Sequence, residues 1–259
     1  MAELVQQTPA QPAPRLAGLR RVAILPARNE ADCIAGVLDE LRAFDPQLEI
    51  VVVDDGSVDR TAAIASARGA TVLRHPFNLG IGGAVQTGFR YALEEGFDVA
   101  LRLDGDGQHD PGELPKLLVP LLAGEADIVV GSRFAGDDPG YRPPLARRIG
   151  IRLFAAVVSL LVRQRVTDTT SGFQAVNRLG IRLFASDLPH DYPEVEATVM
   201  VVRHRLRLTE VPVRMRERAG GRSSITAVRS VYYMIKVSLA LFVGLFRRSV
   251  VPLEEEREG

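Results

Sequence analysis

In the first half of the chain, short apolar runs alternate with stretches whose apolar residues recur at helical spacing. RVAILPA (21–27) is an apolar run closing on Pro-Ala, and it predicts a buried strand followed by a turn. In DCIAGVLDELRAF (32–44), Ile34, Val37, Leu38 and Leu41 share one helical face. LEIVVVDDGS (48–57) is a strand of β-branched residues stopped by Asp-Asp-Gly-Ser. Asp59-Arg60-Thr61 opens a helix that runs through Arg68 and ends at Gly69. ATVLRH (70–75) predicts a third strand, GGAVQTGFRYALEEG (82–96) a helix closed by Gly96, and DVALRLDGD (98–106) a fourth strand. PGELPKLLVPLLAG (111–124) predicts a helix interrupted by prolines, and ADIVVGSR (126–133) a fifth strand. Strands separated by helices predict an α/β fold, with a mostly parallel sheet and helices on both faces. Ligands of such sheets lie at the carboxyl ends of the strands.

The second half has a different pattern. RRIGIRLFAAVVSLLVRQR (147–165) and VRSVYYMIKVSLALFVGLFRR (228–248) are apolar helices with arginines at their ends. Between them lie a polar loop leading into a strand, TDTTSGFQAVNR (167–178), a further strand, LTEVPVRMRE (208–217), and a Gly-Ser loop, GGRSSI (220–225). The first twenty residues are rich in Pro and Ala and lack the basic start and apolar core of a signal peptide, so they read as a disordered arm. No stretch reaches the roughly 18 uncharged apolar residues that a membrane span needs.

Composition adds little until it is divided along the chain. Hydrophobic residues make up 46% and charged residues 25%, enough apolar content for a sizeable core. A single cysteine, Cys33, excludes an internal disulfide and fits a reducing compartment. The net charge of zero conceals an asymmetry: residues 1–141 carry −9, residues 142–248 carry +12, and the tail 249–259 carries −3. An acidic half suits a metal, and a basic half suits phosphate or an anionic surface.

The acidic residues collect where strands end. Asp54 and Asp55 follow IVVV, and Asp104 and Asp106 follow VALRL. Carboxylates at neighbouring strand ends of a parallel sheet enter one crevice, and Asp104-Gly105-Asp106 presents two of them with a small residue between. Such hard oxygen ligands suit Mg²⁺ or Mn²⁺, and magnesium commonly shares its shell with substrate phosphates. Asn78–Gly83 is glycine-rich but lacks the G-x-G-x-x-G spacing and any Lys-Ser/Thr pair, so close backbone packing is the better reading.

The motifs LPARNEA (25–31), VVVDDGSVDRT (51–61), NLGIGGAVQTGFRYA (78–92), DGDGQHDP (104–111) and GSR (131–133) occur in that order. In this combination the chain resembles family-2 glycosyltransferases of the Rossmann-like GT-A fold, and within them polyprenyl-phosphate sugar synthases of the dolichyl-phosphate mannose synthase type. SGFQAVNR (171–178) and VPVRMRERAGGRSSI (211–225) extend the resemblance, which covers about residues 21 to 248. It implies a metal-dependent, inverting hexosyltransferase that moves a hexose or N-acetylhexosamine from a UDP- or GDP-linked donor to a polyprenyl phosphate. Pro26, Ala27, Glu30, Val53, Asp55 and Gly105 would border the donor, with Glu30 accepting from ribose and Asp55 from base or ribose. Asp104, Asp106 and Gln108 would surround the metal. Arg133 and Arg147 would meet phosphate, and Arg218 and Ser223 belong to a segment that would close over the site. Asp191 and Glu194 are candidates for a base, although an anionic lipid phosphate acceptor needs none. Plain structural roles stay open beside these: a helix-start acid for Glu30, turn chemistry for Asp55, caps or arginine partners for Asp191 and Glu194.

The organisation expected is an arm (1–20), a catalytic domain (21–225) with a donor half (21–141) and an acceptor half (142–225), an amphipathic membrane-interface helix (226–248) and an acidic tail (249–259). Helices 147–165 and 228–248 would place the protein peripherally at the inner, cytoplasmic face of the cell membrane, on anionic lipid. Their alternative role, packing on the catalytic domain or against a second copy, leaves a homo-oligomer open. A soluble hydroxyl acceptor is the rival chemistry, and a non-catalytic nucleotide-binding module the rival class. Nucleic acid is a poor partner, because the arginines alternate with apolar helix faces and not with stacking aromatics.

Overall fold

The computed structural model describes residues 18–136, 155–156, 158–160, 166–168, 170–189 and 193–216. Most of the apolar helix at 147–165, all of that at 228–248, and the boundaries set at 225 and 248 lie outside the described residues.

Among the described residues, seven strands form one mixed sheet: β1 (Arg21–Ala27), β2 (Glu49–Asp54), β3 (Thr71–Arg74), β4 (Val99–Arg102), β5 (Ile128–Ser132), β6 (Gln174–Asn177) and β7 (Leu208–Pro212). Their spatial order is β3-β2-β1-β4-β6-β5-β7. The pairs β2–β3, β1–β2, β1–β4 and β5–β7 are parallel, whereas β6 runs antiparallel to both β4 and β5. The helices between strands are α1 (Ile34–Phe44), α2 (Thr61–Ala67), α3 (Ile81–Glu94), α4 (Leu114–Leu122), α5 (Arg178–Ser186) and α6 (Pro193–Arg203). The pattern of apolar residues therefore located β1 to β5 and α1 to α4 to within a few residues. It did not anticipate α5 or α6.

Alternation along the central strands divides the core between the two faces of the sheet. Ala23, Leu25, Ile50 and Val52 pack on one face with Ile34, Leu38 and Leu41 of α1 and Leu114, Leu117 and Leu118 of α4. Val22, Ile24, Val51 and Val53 pack on the other with Val85 and Phe89 of α3 and Leu183 and Phe184 of α5. Both faces are covered, so a strand such as IVVV is apolar at every position. The Phe89 and Phe184 rings meet at 5.0 Å between centroids. Gly88 permits the close approach of α3 to β1: a Cβ there would lie 2.2 Å from Ile24 Cγ2. The prolines of 111–124 act at element boundaries. A 3₁₀ turn at Pro111–Glu113 precedes α4, Pro115 sits in the first turn of α4, and Pro120 lies in its last turn.

Candidate functional site

The carboxyl ends of β1, β2 and β4 surround a cavity of about 390 Å³, within the usual range for small-molecule sites. Among its lining residues are Pro26 and Ala27 at the end of β1, Glu30 after it, Asp55 after β2, and Asp104, Gly105 and Asp106 after β4. The wall is completed by Arg28, Arg102 and the loop and helix start from Asn78 to Ala84. Seven of the residues picked out in the sequence are thus brought to one place by the register of three parallel strands.

Local side-chain bonds hold the first two loops together. Asn29 adopts a left-handed conformation with φ of 55°, which asparagine tolerates well. Its Oδ1 accepts from Val58 N–H at 3.0 Å, and its own N–H donates to Ser57 Oγ at 3.0 Å. Glu30 N–H donates to Thr61 Oγ1 at 2.9 Å, and that hydroxyl donates to Asp59 Oδ1. Asn29 and Ser57 thus tie the loop after β1 to the loop after β2, and Thr61, backed by Asp59, holds the Glu30 backbone. Gly56 is required where the loops converge, because its φ is +69° and a Cβ would stand 2.8 Å from Asn78 N.

At the D-x-D segment, Asp104 keeps 35% of its side chain exposed, while Asp106 is buried. Gln108 N–H donates to Asp106 Oδ1 at 3.0 Å. His109 is buried and stacks on Phe173 with centroids 4.9 Å apart. Its Nδ1 accepts from Asp104 N–H at 3.0 Å, which leaves the ring proton on Nε2, 3.8 Å from Asp104 Oδ2. Burial pushes the His109 imidazole below its ordinary range, and the charges of Asp104 and Asp106 only partly oppose this. A neutral His109 thus braces the Asp104 backbone. Gly172, just before β6, lies so close that a Cβ would be 3.0 Å from Asp104 Oδ1 and 3.2 Å from Arg102 Nη2. The segment after β7 crosses the same loop: Arg216 N–H donates to Gln108 O at 2.9 Å, and its guanidinium reaches Glu40 and Asp110.

The donor set fits a hard divalent cation that shares its shell with a ligand. Asp104 and Asp106 both reach the cavity, and among the described residues no cluster of three His, Cys, Asp or Glu forms a self-sufficient metal cage.

Other picked residues lie elsewhere. Val53 is fully buried within the core on the α3 side and does not line the cavity. Arg133 is also absent from the lining. Its Nε and Nη2 donate to Asp168 at 2.7 and 2.8 Å, and Nη2 donates to Thr170 Oγ1 at 2.6 Å. Burial pushes the Asp168 carboxyl up, but the bonds and charge of Arg133 outweigh it and hold the group below the ordinary carboxylate range. Asp55 reaches the cavity with its carboxylate already accepting from Leu79 N–H and Gly80 N–H at 2.7 and 2.9 Å. Arg147, Arg218, Ser223 and Asp191 lie outside the described residues, as does the side chain of Glu194 at the start of α6. Arg102 was missed. It is only 2% exposed, and the visible signal was a lone cation inside the apolar run VALRL.

A carboxylate-rimmed cavity at the parallel strand ends of a sheet with one antiparallel strand is the architecture of the GT-A fold. The profile of Glycosyl transferase family 2 matches residues 22–184, and the chain belongs to that family. It is 32% identical over 216 residues to an undecaprenyl-phosphate mannosyltransferase of Micrococcus luteus, covering 80% of this chain and 88% of that protein. It is 30% identical over 210 residues to a UDP-N-acetylglucosamine–dolichyl-phosphate N-acetylglucosaminyltransferase of Methanococcus voltae, covering 74% and 83%. Among solved structures, glucosyl-3-phosphoglycerate synthase of Mycobacterium tuberculosis, crystallised with Mn²⁺, UDP and glucosyl-3-phosphoglycerate, has the same fold. Its TM-score is 0.68 at 24% identity, covering 90% of this chain and 82% of that one.

Proposed function

We propose that this enzyme transfers a hexose or N-acetylhexosamine from a UDP- or GDP-linked donor to a polyprenyl phosphate, with inversion and with help from Mg²⁺ or Mn²⁺. One observation carries the reading: Glu30, Asp55, Asp104 and Asp106, from three strand ends, line a single cavity of about 390 Å³. Two relatives named for undecaprenyl or dolichyl phosphate support the acceptor class.

In this reading Glu30 and Asp55 accept hydrogen bonds from the nucleoside, and Pro26 and Ala27 flank it. Asp104 and Asp106, with Gln108 beside them, would hold the cation, which when bound neutralises charge on the leaving diphosphate. Arg102 and Arg28 add positive charge to the same wall. The anomeric C–O bond breaks with its electron pair on the nucleoside diphosphate, and an acceptor phosphate oxygen forms the new bond from the opposite face. That oxygen is already anionic near neutral pH, so positioning and charge compensation do most of the catalysis and a strong base is unnecessary. Residues 21–141 supply the donor side, and 142–225 complete the acceptor side.

The purified protein incubated with a panel of UDP- and GDP-sugars, with and without polyprenyl phosphate, tests the assignment. The expected result is a lipid-linked sugar formed from one donor, with its formation abolished by excess chelator. Transfer only to soluble hydroxyl acceptors would replace the lipid reading, and no transfer from any donor would remove it.

Among the described residues no helix is long and apolar enough to cross a membrane. We place the enzyme peripherally on the anionic inner face of the cell membrane, through the basic-ended segments 147–165 and 228–248. Flotation with anionic liposomes should carry the protein upward in a salt-sensitive way. Retention in solution at every anionic lipid content would defeat this placement.

A further inference from the structure

Beneath the wall formed by Asn78 and Gly80 a chain of polar contacts runs from the cavity-lining Asp55 to His75 and Thr87, which do not line the cavity. His75, just after β3, is 8% exposed, and Asp55, just after β2, is 4% exposed. His75 Nδ1 lies 2.9 Å from Asp55 Oδ1. An ionised carboxylate only accepts, so the imidazole N–H is the donor. On its far side His75 Nε2 lies 3.0 Å from Thr87 Oγ1 in α3, and Thr87 Oγ1 is 2.9 Å from Gly83 O. The ring is thus fixed at both nitrogens, between β2 and α3. Its backbone is fixed as well, since His75 N–H donates to Asp54 O at 2.9 Å.

The Asp55 carboxylate is filled unevenly. Oδ1 accepts from His75 and from Leu79 N–H, whereas Oδ2 accepts from Gly80 N–H. Each carboxylate oxygen has room for two donors, so Oδ2 retains acceptor capacity in a residue that lines the cavity. We infer that His75 is a positioning residue for the donor. It sets the rotation of the Asp55 carboxylate, so that Oδ2 meets a base N–H or ribose hydroxyl, and it locks the Leu79–Gly80 amides that form the adjacent wall. His75 does not touch the nucleotide and acts only through Asp55 and this loop. The inference rests on the donor reading given above.

Calorimetric titration with UDP and with GDP, each with Mn²⁺, tests it on wild type, His75→Ala, His75→Asn and Thr87→Val, alongside steady-state kinetics with the working donor. His75→Ala should weaken nucleotide binding about tenfold, the loss expected for one hydrogen bond to a charged group. It should raise donor KM in proportion and change kcat less than about threefold, as for uniform binding lost before the chemical step. His75→Asn keeps an N–H donor near the Nδ1 position and should recover most of the affinity. Thr87→Val should weaken binding by about threefold, a fraction of that loss. An unchanged Kd in His75→Ala, even with a lowered Tm, would reduce the residue to a structural role and overturn the inference alone. If His75→Ala does not fold, an unchanged Kd in Thr87→Val overturns it instead. A wild-type protein that binds neither nucleotide overturns the donor-site reading, and the inference falls with it.

Discussion

The acids after β4 and the acids around β5 and β7 are used in opposite ways. After β4, Asp104 is one-third exposed and, with Asp106, faces a cavity. Around β5, Asp127 is bound by Arg207 at 2.8 Å and Asp168 is bound twice by Arg133. Glu210 of β7 accepts from Thr167 N–H, Thr167 Oγ1–H and Asp168 N–H. Carboxylates of the first kind are left facing a cavity, and those of the second kind hold loops to strands. Part of the basic surplus of residues 142–248 is paired with acids of the first half, Arg207 with Asp127, Arg178 with Asp98 and Arg216 with Glu40 and Asp110, whereas Arg133, which holds Asp168, belongs to the acidic half itself.

This contrast is testable by separating stability from activity. Asp168→Asn strips the countercharge from a buried guanidinium and should cost about 3–5 kcal/mol of stability. The urea midpoint should fall with little change in slope, and a midpoint within error of wild type would break the comparison. Asp106→Ala should do the reverse. Its unfolding midpoint should stay close to wild type, while transfer falls on the order of 10²-fold or more and chelator loses its effect on the residual rate. Near-wild-type turnover would remove Asp106 from the site.

Acid supplies the smallest and most graded test. Hydrogen bonds from Arg21 hold Asp45 below the ordinary carboxylate range, with Arg21 Nη2 at 3.0 Å from Oδ1. For Asp127 and Asp168 burial acts upward, but the arginine contacts prevail and the net shift is also downward. A folded-state value below the unfolded one makes each contribution complete above about pH 3.9, and lost as pH falls through the lower folded value. Urea midpoints should therefore be level from about pH 6 to 5 on this account and decline below about pH 4. A decline already complete at pH 5 would show that these three pairs do not govern acid stability.

Much of the cavity rim was legible because its determinants are local. β-branched runs, helical spacing and strand-end acids lie within a few residues of one another, and parallel pairing of β1, β2 and β4 converts them directly into a cavity rim. Asp104 and Asp106 could be picked out for that reason. Val53 could not be resolved in the same way. In a strand buried on both faces every residue is apolar, so the pattern does not say which side chain faces the core and which the ligand, and the structure puts Val53 in the core.

By itself the sequence determined the alternation of strands and helices, the acidic strand ends and the family motifs, since each is encoded by neighbours along the chain. Only the tertiary structure decided the rest. β6, drawn from residues 174–177, inserts antiparallel between β4 and β5 and brings Gly172 against Asp104 and Arg102. Arg133 closes on Asp168, thirty-five residues away, so the motif GSR holds an internal ion pair. The end of β7 delivers Arg216 to Gln108, Glu40 and Asp110. These partners are far apart in sequence, and choosing among thirty arginines needs the distances that only the packed sheet supplies.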